Sequence, residues 1–239
     1  MDITQNDFLG GKIKLLQYQS GYRATSDSVL VSATVQAKSG ETILDVGTGT
    51  GIILFCLGSR ISNLQMTGVD VQNELLALAQ QNNILNQQNI EWIQEDITAK
   101  TSKIHGRQFH HVVTNPPFYR EDIVRQNQQT ATAFHQSISL DIWIRYCVKH
   151  IRPKGTLTLI HRPEALTEIL TILSKTALGG IEVLPIYSKL NQEANRIIIK
   201  GILGSKKQLT IHPPFITHTA DNKYTKEAEE ILRNGKSLK

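Results

Sequence analysis

The chain has 239 residues, of which 40% are hydrophobic and 20% charged, with a formal net charge of +5. That length can bury a full core as one domain with an appendage. No apolar run reaches the roughly 20 residues a membrane span needs, and Met1-Asp2-Ile3-Thr4-Gln5 does not open a signal peptide, so the chain reads as cytoplasmic. Its two cysteines, Cys56 and Cys147, match no metal spacing, which points to no metal and to buried thiols in a reducing compartment.

About forty residues precede the first strong strand, too few for a domain of their own. Residues 1–40 therefore read as an extension packing on one domain, 41–239. Within the extension, Gly21-Tyr22-Arg23-Ala24-Thr25-Ser26-Asp27 reads as a loop capped into a helix by Ser26 or Asp27, with Val29, Leu30, Ala33 and Val35 on the packed side. The short buried strand Thr42-Ile43-Leu44-Asp45-Val46 follows. It runs at once into Gly47-Thr48-Gly49-Thr50-Gly51 and an apolar helical run from Ile52 to Leu57. A second strand, Leu64-Gln65-Met66-Thr67-Gly68-Val69-Asp70, ends in a carboxylate 19 residues after Gly51, and a third, Ile90-Glu91-Trp92-Ile93-Gln94, delivers Glu95-Asp96-Ile97. The apolar stretch Phe109-His110-His111-Val112-Val113-Thr114 then ends in Asn115-Pro116-Pro117-Phe118. Alternation sends His110 and His111 to opposite faces of that strand, which predicts that at least one is structural. Beyond it, residues 140–151 have helical spacing ended by Pro153-Lys154-Gly155, and 156–160 form a strand. Pro163 starts a helix that runs to 178 and closes at Gly179-Gly180; 181–187 and 196–203 are the last strands. The pattern is α/β: a doubly wound, mostly parallel seven-stranded sheet, helices on both faces, and a C-terminal β-hairpin.

The glycine turn is G-x-G-x-G, whereas a dinucleotide fingerprint would need glycine at Ile52. Asp45, just ahead of the turn, sits badly beside a pyrophosphate and suits a cation. S-adenosylmethionine is such a ligand, positive at sulfur and at its amino group and free of phosphate. Asp70 is placed to accept from a ribose diol, and Asp96 from an adenine amino group. Thr25 or Asp27 is placed to hold the methionine end beneath a closing loop.

Asn115 to Phe118 reads as a socket for a planar group bearing NH2. The Asn115 side-chain oxygen and the Pro116 C=O can accept both N–H hydrogens, which returns electron density to nitrogen. Phe118 can hold the ring by stacking, worth about 1–3 kcal/mol per base. Residues 119–136, with Tyr119, Arg120, Arg125 and Gln126-Asn127-Gln128-Gln129, read as a flap over the acceptor. From Lys200 onward, eight Lys/Arg face four acidic residues, a local +4 compatible with a phosphate-rich partner.

These pieces resemble a class I S-adenosylmethionine-dependent methyltransferase. The chain is similar to the bacterial family that methylates N6 of the adenosine 3′ to the anticodon of a valine tRNA. The matches are Tyr22-Arg23-x-Thr25-x-Asp27, Leu44-Asp45-Val46-Gly47-Thr48-Gly49-Thr50-Gly51, Gly68-Val69-Asp70 and Asn115-Pro116-Pro117-Phe118. The likeness continues through Trp143, Pro153-Lys154-Gly155, Leu157-Thr158-Leu159-Ile160-His161-Arg162 and Tyr224-Thr225-Lys226-Glu227. It implies that Arg23, Thr25, Asp27, Asp45, Gly47, Thr48, Gly49, Gly51, Asp70, Val71, Asp96, Ile97 and Asn115 hold the cofactor. Asn115, Pro116, Pro117 and Phe118 would then be catalytic, with Phe118, Tyr119 and Arg120 binding an RNA acceptor. The family places an acidic residue after a histidine where this chain has His135-Gln136, a departure. Two alternatives stay open: a protein-glutamine or other nucleic-acid amino-N methyltransferase, and a non-catalytic RNA-binding member of the fold. Glutamine enzymes resemble a helical domain joined ahead of the catalytic fold, and guanine-N2 enzymes a duplicated domain.

Overall fold

A computed structural model describes residues 2–21, 23–118 and 138–238. In chain order the elements are β1 (Ile3–Phe8), β2 (Ile13–Tyr18), α1 (Ser26–Thr34), β3 (Thr42–Val46), α2 (Ile52–Arg60), β4 (Gln65–Asp70), α3 (Asn73–Leu85), β5 (Glu91–Gln94) and β6 (Phe109–Thr114). They continue with α4 (Leu140–Lys149), β7 (Ile151–His161), α5 (Leu166–Leu173), β8 (Leu178–Tyr187), β9 (Ala194–Leu203), β10 (Thr210–Ile211), β11 (Phe215–Ile216) and α6 (Lys226–Leu232).

The main sheet has the order β10-β8-β9-β7-β6-β3-β4-β5, with β11 also on β8. Strands β3 to β9 are the expected seven; the two-residue β10 and β11 widen the sheet to nine. Neighbours from β7 to β5 are parallel, and β9 runs antiparallel to both β7 and β8. From β3 the chain moves outward through β4 and β5, then returns to place β6 on the other side of β3. That reversal makes the C-terminal ends of β3 and β6 the topological switch point of the sheet, the place where open α/β sheets hold ligands.

Alternation along the strands feeds two cores. Ile43, Val113, Ile160 and Ile198 pack with α1, α2 and the first hairpin through Leu30, Phe55 and Leu15. Leu44, Val112, Leu159 and Ile199 pack with α4 and α5 through Trp143, Ile144 and Ile169. Both cysteines are buried and free. No helix among the described residues is long and apolar enough to cross a membrane.

Several boundaries differ from the sequence reading. The N-terminal extension contains an antiparallel hairpin, β1–β2, pairing Ile3 with Tyr18 through Phe8 with Ile13. Asparagines of α3 hold the other edge of β2: Asn82 accepts from Leu16 N at 2.8 Å and donates to Leu16 O at 3.1 Å. Asn86 does the same for Lys14, at 2.9 and 2.7 Å. Helix α1 is capped by Thr25, whose hydroxyl accepts from Asp27 N, rather than by Ser26 or Asp27. The helix after Pro163 ends at Leu173, and Gly179-Gly180 lies inside β8, where the register shifts before Glu182. A Cβ on Gly179 would stand 2.0 Å from Ser205 O, so close backbone approach sets these glycines, not helix termination. Helix α4 stops at Lys149 and the Pro153-Lys154-Gly155 segment bulges from β7, which pairs Phe109 with Ile151 but His111 with Thr156. The β8–β9 hairpin is not the last element, because β10, β11 and α6 follow it.

Candidate active site

Three parallel strands end level. Val46 pairs with Val69 of β4 and Thr114 of β6, so the Gly47 turn and Asn115 leave adjacent strands at the same edge. The turn is fixed by backbone bonds from Gly47 N and Thr48 N to Val69 O and from Gly51 N to Thr48 O, all 2.9–3.0 Å. Gly47 and Gly51 have φ of +73° and +92°, values that favour glycine. Packing demands glycine there as well: a Cβ on Gly47 would meet the Trp143 ring at 2.7 Å, and one on Gly51 would meet the Trp92 ring at 2.5 Å. The turn is thus wedged between two indoles. Trp143 also donates from Nε1 to Thr114 Oγ1 at 2.9 Å, and Thr114 donates to Val46 O at 2.7 Å, which locks the two strand ends together.

The acids gather around this turn. Asp70 is buried and accepts from Gly49 N through Oδ2 and from Gln72 N through Oδ1, both at 2.9 Å. Asp45 lies fully buried beneath the turn; Oδ2 accepts from Thr48 Oγ1 at 2.7 Å, and Oδ1 has no hydrogen-bond partner among the described residues. Burial pushes the Asp45 carboxyl up to about 7, reinforced by the neighbouring Asp70 charge and opposed by the Thr48 hydroxyl. A cationic ligand relieves this crowding and a phosphate would worsen it, so the residues present fit S-adenosylmethionine. Asp45 has no accessible surface, so its charge would reach such a ligand through its field and not by contact.

Asp96 is half-buried and accepts through Oδ1 from Thr98 N at 2.8 Å and Thr98 Oγ1 at 2.6 Å. Its neighbour Ile97 packs on the α4 side of the sheet, and the Val71 carbonyl accepts from Gln94 Nε2 at 3.1 Å. Both stand beside the ends of β4 and β5, on the glycine-turn edge.

Asn115 is half-buried and its Nδ2 lies 3.4 Å from Ser28 Oγ on α1, with Pro116 buried beside it. Phe118 is held differently from the simple stacking platform expected. Its ring meets His161 edge-on at 4.9 Å, and the guanidinium carbons of Arg162 and Arg196 stand 5.2 and 5.1 Å from its centroid. Arg196 also pairs with Asp27 at 2.6 Å. His161 is buried, and no side chain among the described residues bonds its ring nitrogens; burial, with the nearby Arg162 and Arg196 charges, pushes it down to about 4 against the opposing pull of the Arg162 backbone. Tyr119, Arg120, the rest of the expected flap and His135-Gln136 lie outside the described residues, as does Tyr22.

Some expected residues stand elsewhere. The Arg23 guanidinium is spent on the N-terminal hairpin, donating to Thr4 Oγ1, Tyr18 O and Asn6 Oδ1 at 2.8–3.1 Å. His110 and His111 sit at the opposite end of β6 from Asn115. His110 bonds Thr42, and His111 bonds Thr156 and Glu41, so both act as seams between strands. Sequence reasoning missed His161, Arg162 and Arg196. His161 ends β7 and Arg162 follows it much as Asn115 follows β6, and that position, with the place of both in the matched stretch Leu157 to Arg162, was the signal available for them. No cluster of metal-ligating side chains occurs among the described residues.

Comparison with known proteins bears on this geometry. The methyltransferase small domain family matches residues 23–182. A "tRNA1(Val) (adenine(37)-N6)-methyltransferase" of Haemophilus influenzae (strain PittEE) is 24% identical over 227 residues, covering 91% of this chain and 93% of that protein. A relative of the same name from Shewanella halifaxensis (strain HAW-EB4) is 29% identical over 187 residues, covering 77% and 75%. Among solved structures, a "predicted O-methyltransferase" of Agrobacterium tumefaciens superposes with a TM-score of 0.73 at 24% identity, covering 89% of this chain and 98% of that one; it shares the fold. The family match spans well over half of the chain and falls on the glycine turn, its acids and the Asn-Pro-Pro-Phe segment. The chain therefore belongs to the methyltransferase small domain family and is an S-adenosylmethionine-dependent methyltransferase.

Proposed function

We propose that this enzyme methylates the exocyclic N6 amine of an adenosine in RNA, with an anticodon-loop adenosine of a tRNA as the acceptor. The observation that carries the reading is the level pairing of Val46 with Thr114, which brings the glycine turn and Asn115 to the same edge of the sheet. The names of the relatives from Haemophilus influenzae and Shewanella halifaxensis support the acceptor.

S-adenosylmethionine supplies a methyl group carried on a positively charged sulfur. The chain's own residues align the acceptor with it. Asp70 orders the turn by holding Gly49 N, and its carboxylate stands for the ribose diol. Asp96 stands for the adenine end, and Asp45 supplies negative potential from below. At the acceptor, the Asn115 side-chain oxygen and the Pro116 C=O take the two N–H hydrogens and enrich the nitrogen lone pair. Pro117 stiffens that segment, and Phe118 holds the ring plane. The work is alignment of reacting atoms at about 3–3.5 Å. The methylated amine is a strong acid that loses its proton readily, so no general base is assigned.

Labelled-methyl transfer to total tRNA, followed by nucleoside analysis, tests the proposal. N6-methyladenosine is the expected product. Label recovered only in N2-methylguanosine, or only in protein, would overturn it.

A further inference from the structure

The surroundings of Phe118 contain more positive charge than ring-holding needs. Two guanidiniums face one phenyl ring, at 5.2 Å for Arg162 and 5.1 Å for Arg196. Asp27 neutralises Arg196 at 2.6 Å, whereas the Arg162 guanidinium has no ion pair or hydrogen bond among the described residues, although Glu164 stands close enough to act on neighbouring His161. An anion between the flanks of Phe118 would relieve that excess.

Arg196 also leads away from Phe118. With Asp27, His218 and Tyr224 it lines a cavity of about 160 Å³. Tyr224 is shared with a larger groove of about 420 Å³ beside the first hairpin and α6. The rings of His218 and Tyr224 stand 4.9 Å apart, and the Arg233 guanidinium lies 5.9 Å from the Tyr224 centroid. Tyr224 remains 37% exposed, so part of its ring faces solvent from the groove wall. Cations and rings thus alternate from Phe118 through Arg196, which lines the smaller cavity, to Tyr224, which with Ser26 and Leu232 lines both cavities.

Unpaired RNA is read by this chemistry, with phosphates on guanidiniums and unstacked bases against aromatic rings. We infer that single-stranded RNA flanking the acceptor runs from Phe118 across Arg196 into the groove walled by His218 and Tyr224, while Arg162 holds the phosphate on the other flank. The inference rests on the proposed RNA acceptor and adds the route of the strand. An acidic peptide would satisfy the arginines but gain little from the paired rings. A duplex would present no free base faces.

The test is fluorescence anisotropy of a labelled single-stranded anticodon-loop oligonucleotide on the full chain, titrated with salt. Arg162→Gln should weaken binding and flatten the slope of log K against log salt by about 0.7, the value for one phosphate contact on a single strand. Tyr224→Leu keeps apolar bulk but loses the aromatic face, and should weaken binding about tenfold, whereas Tyr224→Phe should stay within about twofold of wild type. Lys154→Gln, at the far end of the sheet, should change nothing. Unchanged cofactor affinity and unfolding midpoint in these variants exclude a folding defect. Wild-type binding and slope in both Arg162→Gln and Tyr224→Leu would overturn the route, as would a wild-type protein that does not bind the oligonucleotide. The two readings fail separately. RNA binding with this mutational pattern but no methyl transfer to RNA would sink the function and leave the route; tRNA methylation with unchanged KM in both variants would do the reverse.

Discussion

Replacing Asp45 by Asn should shift the stability of the cofactor-free protein in the variant's favour as pH rises from about 5 to about 8. In the native state this carboxyl titrates near 7 because it is buried beside Asp70, against 3.8 for an ordinary aspartate. A raised native value means that the fold prefers the protonated form. Between about pH 4 and pH 7 the unfolded chain has released the proton and the native chain keeps it, so stability falls as pH rises through that window and levels off above it. The full displacement corresponds to at most about 4 kcal/mol at 1.36 kcal/mol per unit. Asparagine keeps the bond from Thr48 but points an amide at the partnerless Oδ1 position, an offset of about 1–3 kcal/mol that does not vary with pH. The robust quantity is therefore the difference between variant and wild type, which should move in the variant's favour by about 2–3 kcal/mol from pH 5 to pH 8. Urea unfolding at both pH values measures it. Saturating S-adenosylmethionine should shrink the difference, because a cation above the turn favours the ionised carboxylate. A difference that is flat with pH, or that moves the other way, would refute the account of Asp45 as a crowded buried acid.

Other substitutions probe the rest of the site. Asn115→Ala should lower methyl transfer by at least about 100-fold, the scale of losing a donor or acceptor aimed at the reacting atoms, while calorimetry finds cofactor affinity within about threefold of wild type; a near-normal rate would count against the socket. Asp70→Ala removes the acceptor for Gly49 N and Gln72 N. It should weaken cofactor binding at least about tenfold and cost about 2–5 kcal/mol of stability, as expected for two bonds to a charged group; an unchanged dissociation constant would argue against its place at the ribose. Trp143→Phe deletes the bond to Thr114 and loosens the ring that wedges Gly47. Destabilisation of about 1–3 kcal/mol is expected in urea unfolding, and a stability equal to wild type would show that the indole is not the lock between β3 and β6.

Legibility in the sequence followed how local the cause was. Strands β3, β4 and β6 announce themselves because each buried apolar run ends in a chemically loaded turn, at Gly47, Asp70 and Asn115. Their shared edge then follows from parallel pairing. Helix α1 was legible by its apolar content, but the choice of Thr25 over Ser26 or Asp27 as cap turns on a single φ/ψ and was not. Gly179-Gly180 misled for a physical reason: glycine tolerates both a helix stop and the close approach of Ser205, and only the tertiary contact decides between them. The first hairpin escaped because its support is remote; β2 is held by side chains about seventy residues away. Arg196 met Phe118 and Asp27 by the same kind of long-range encounter, which no spacing rule reports.

The grip of α3 on β2 has a consequence for association. An exposed strand edge invites another chain to add a strand, yet here two carboxamides imitate the missing neighbour, one N–H and one C=O at a time. The imitation works only for an amide. An Asn82→Asp exchange would set an acceptor against the Leu16 carbonyl, expel that stretch of backbone and leave a bare seam. That one atom's change, amide nitrogen to oxygen, would thus convert a sealed border into a site for intermolecular β addition.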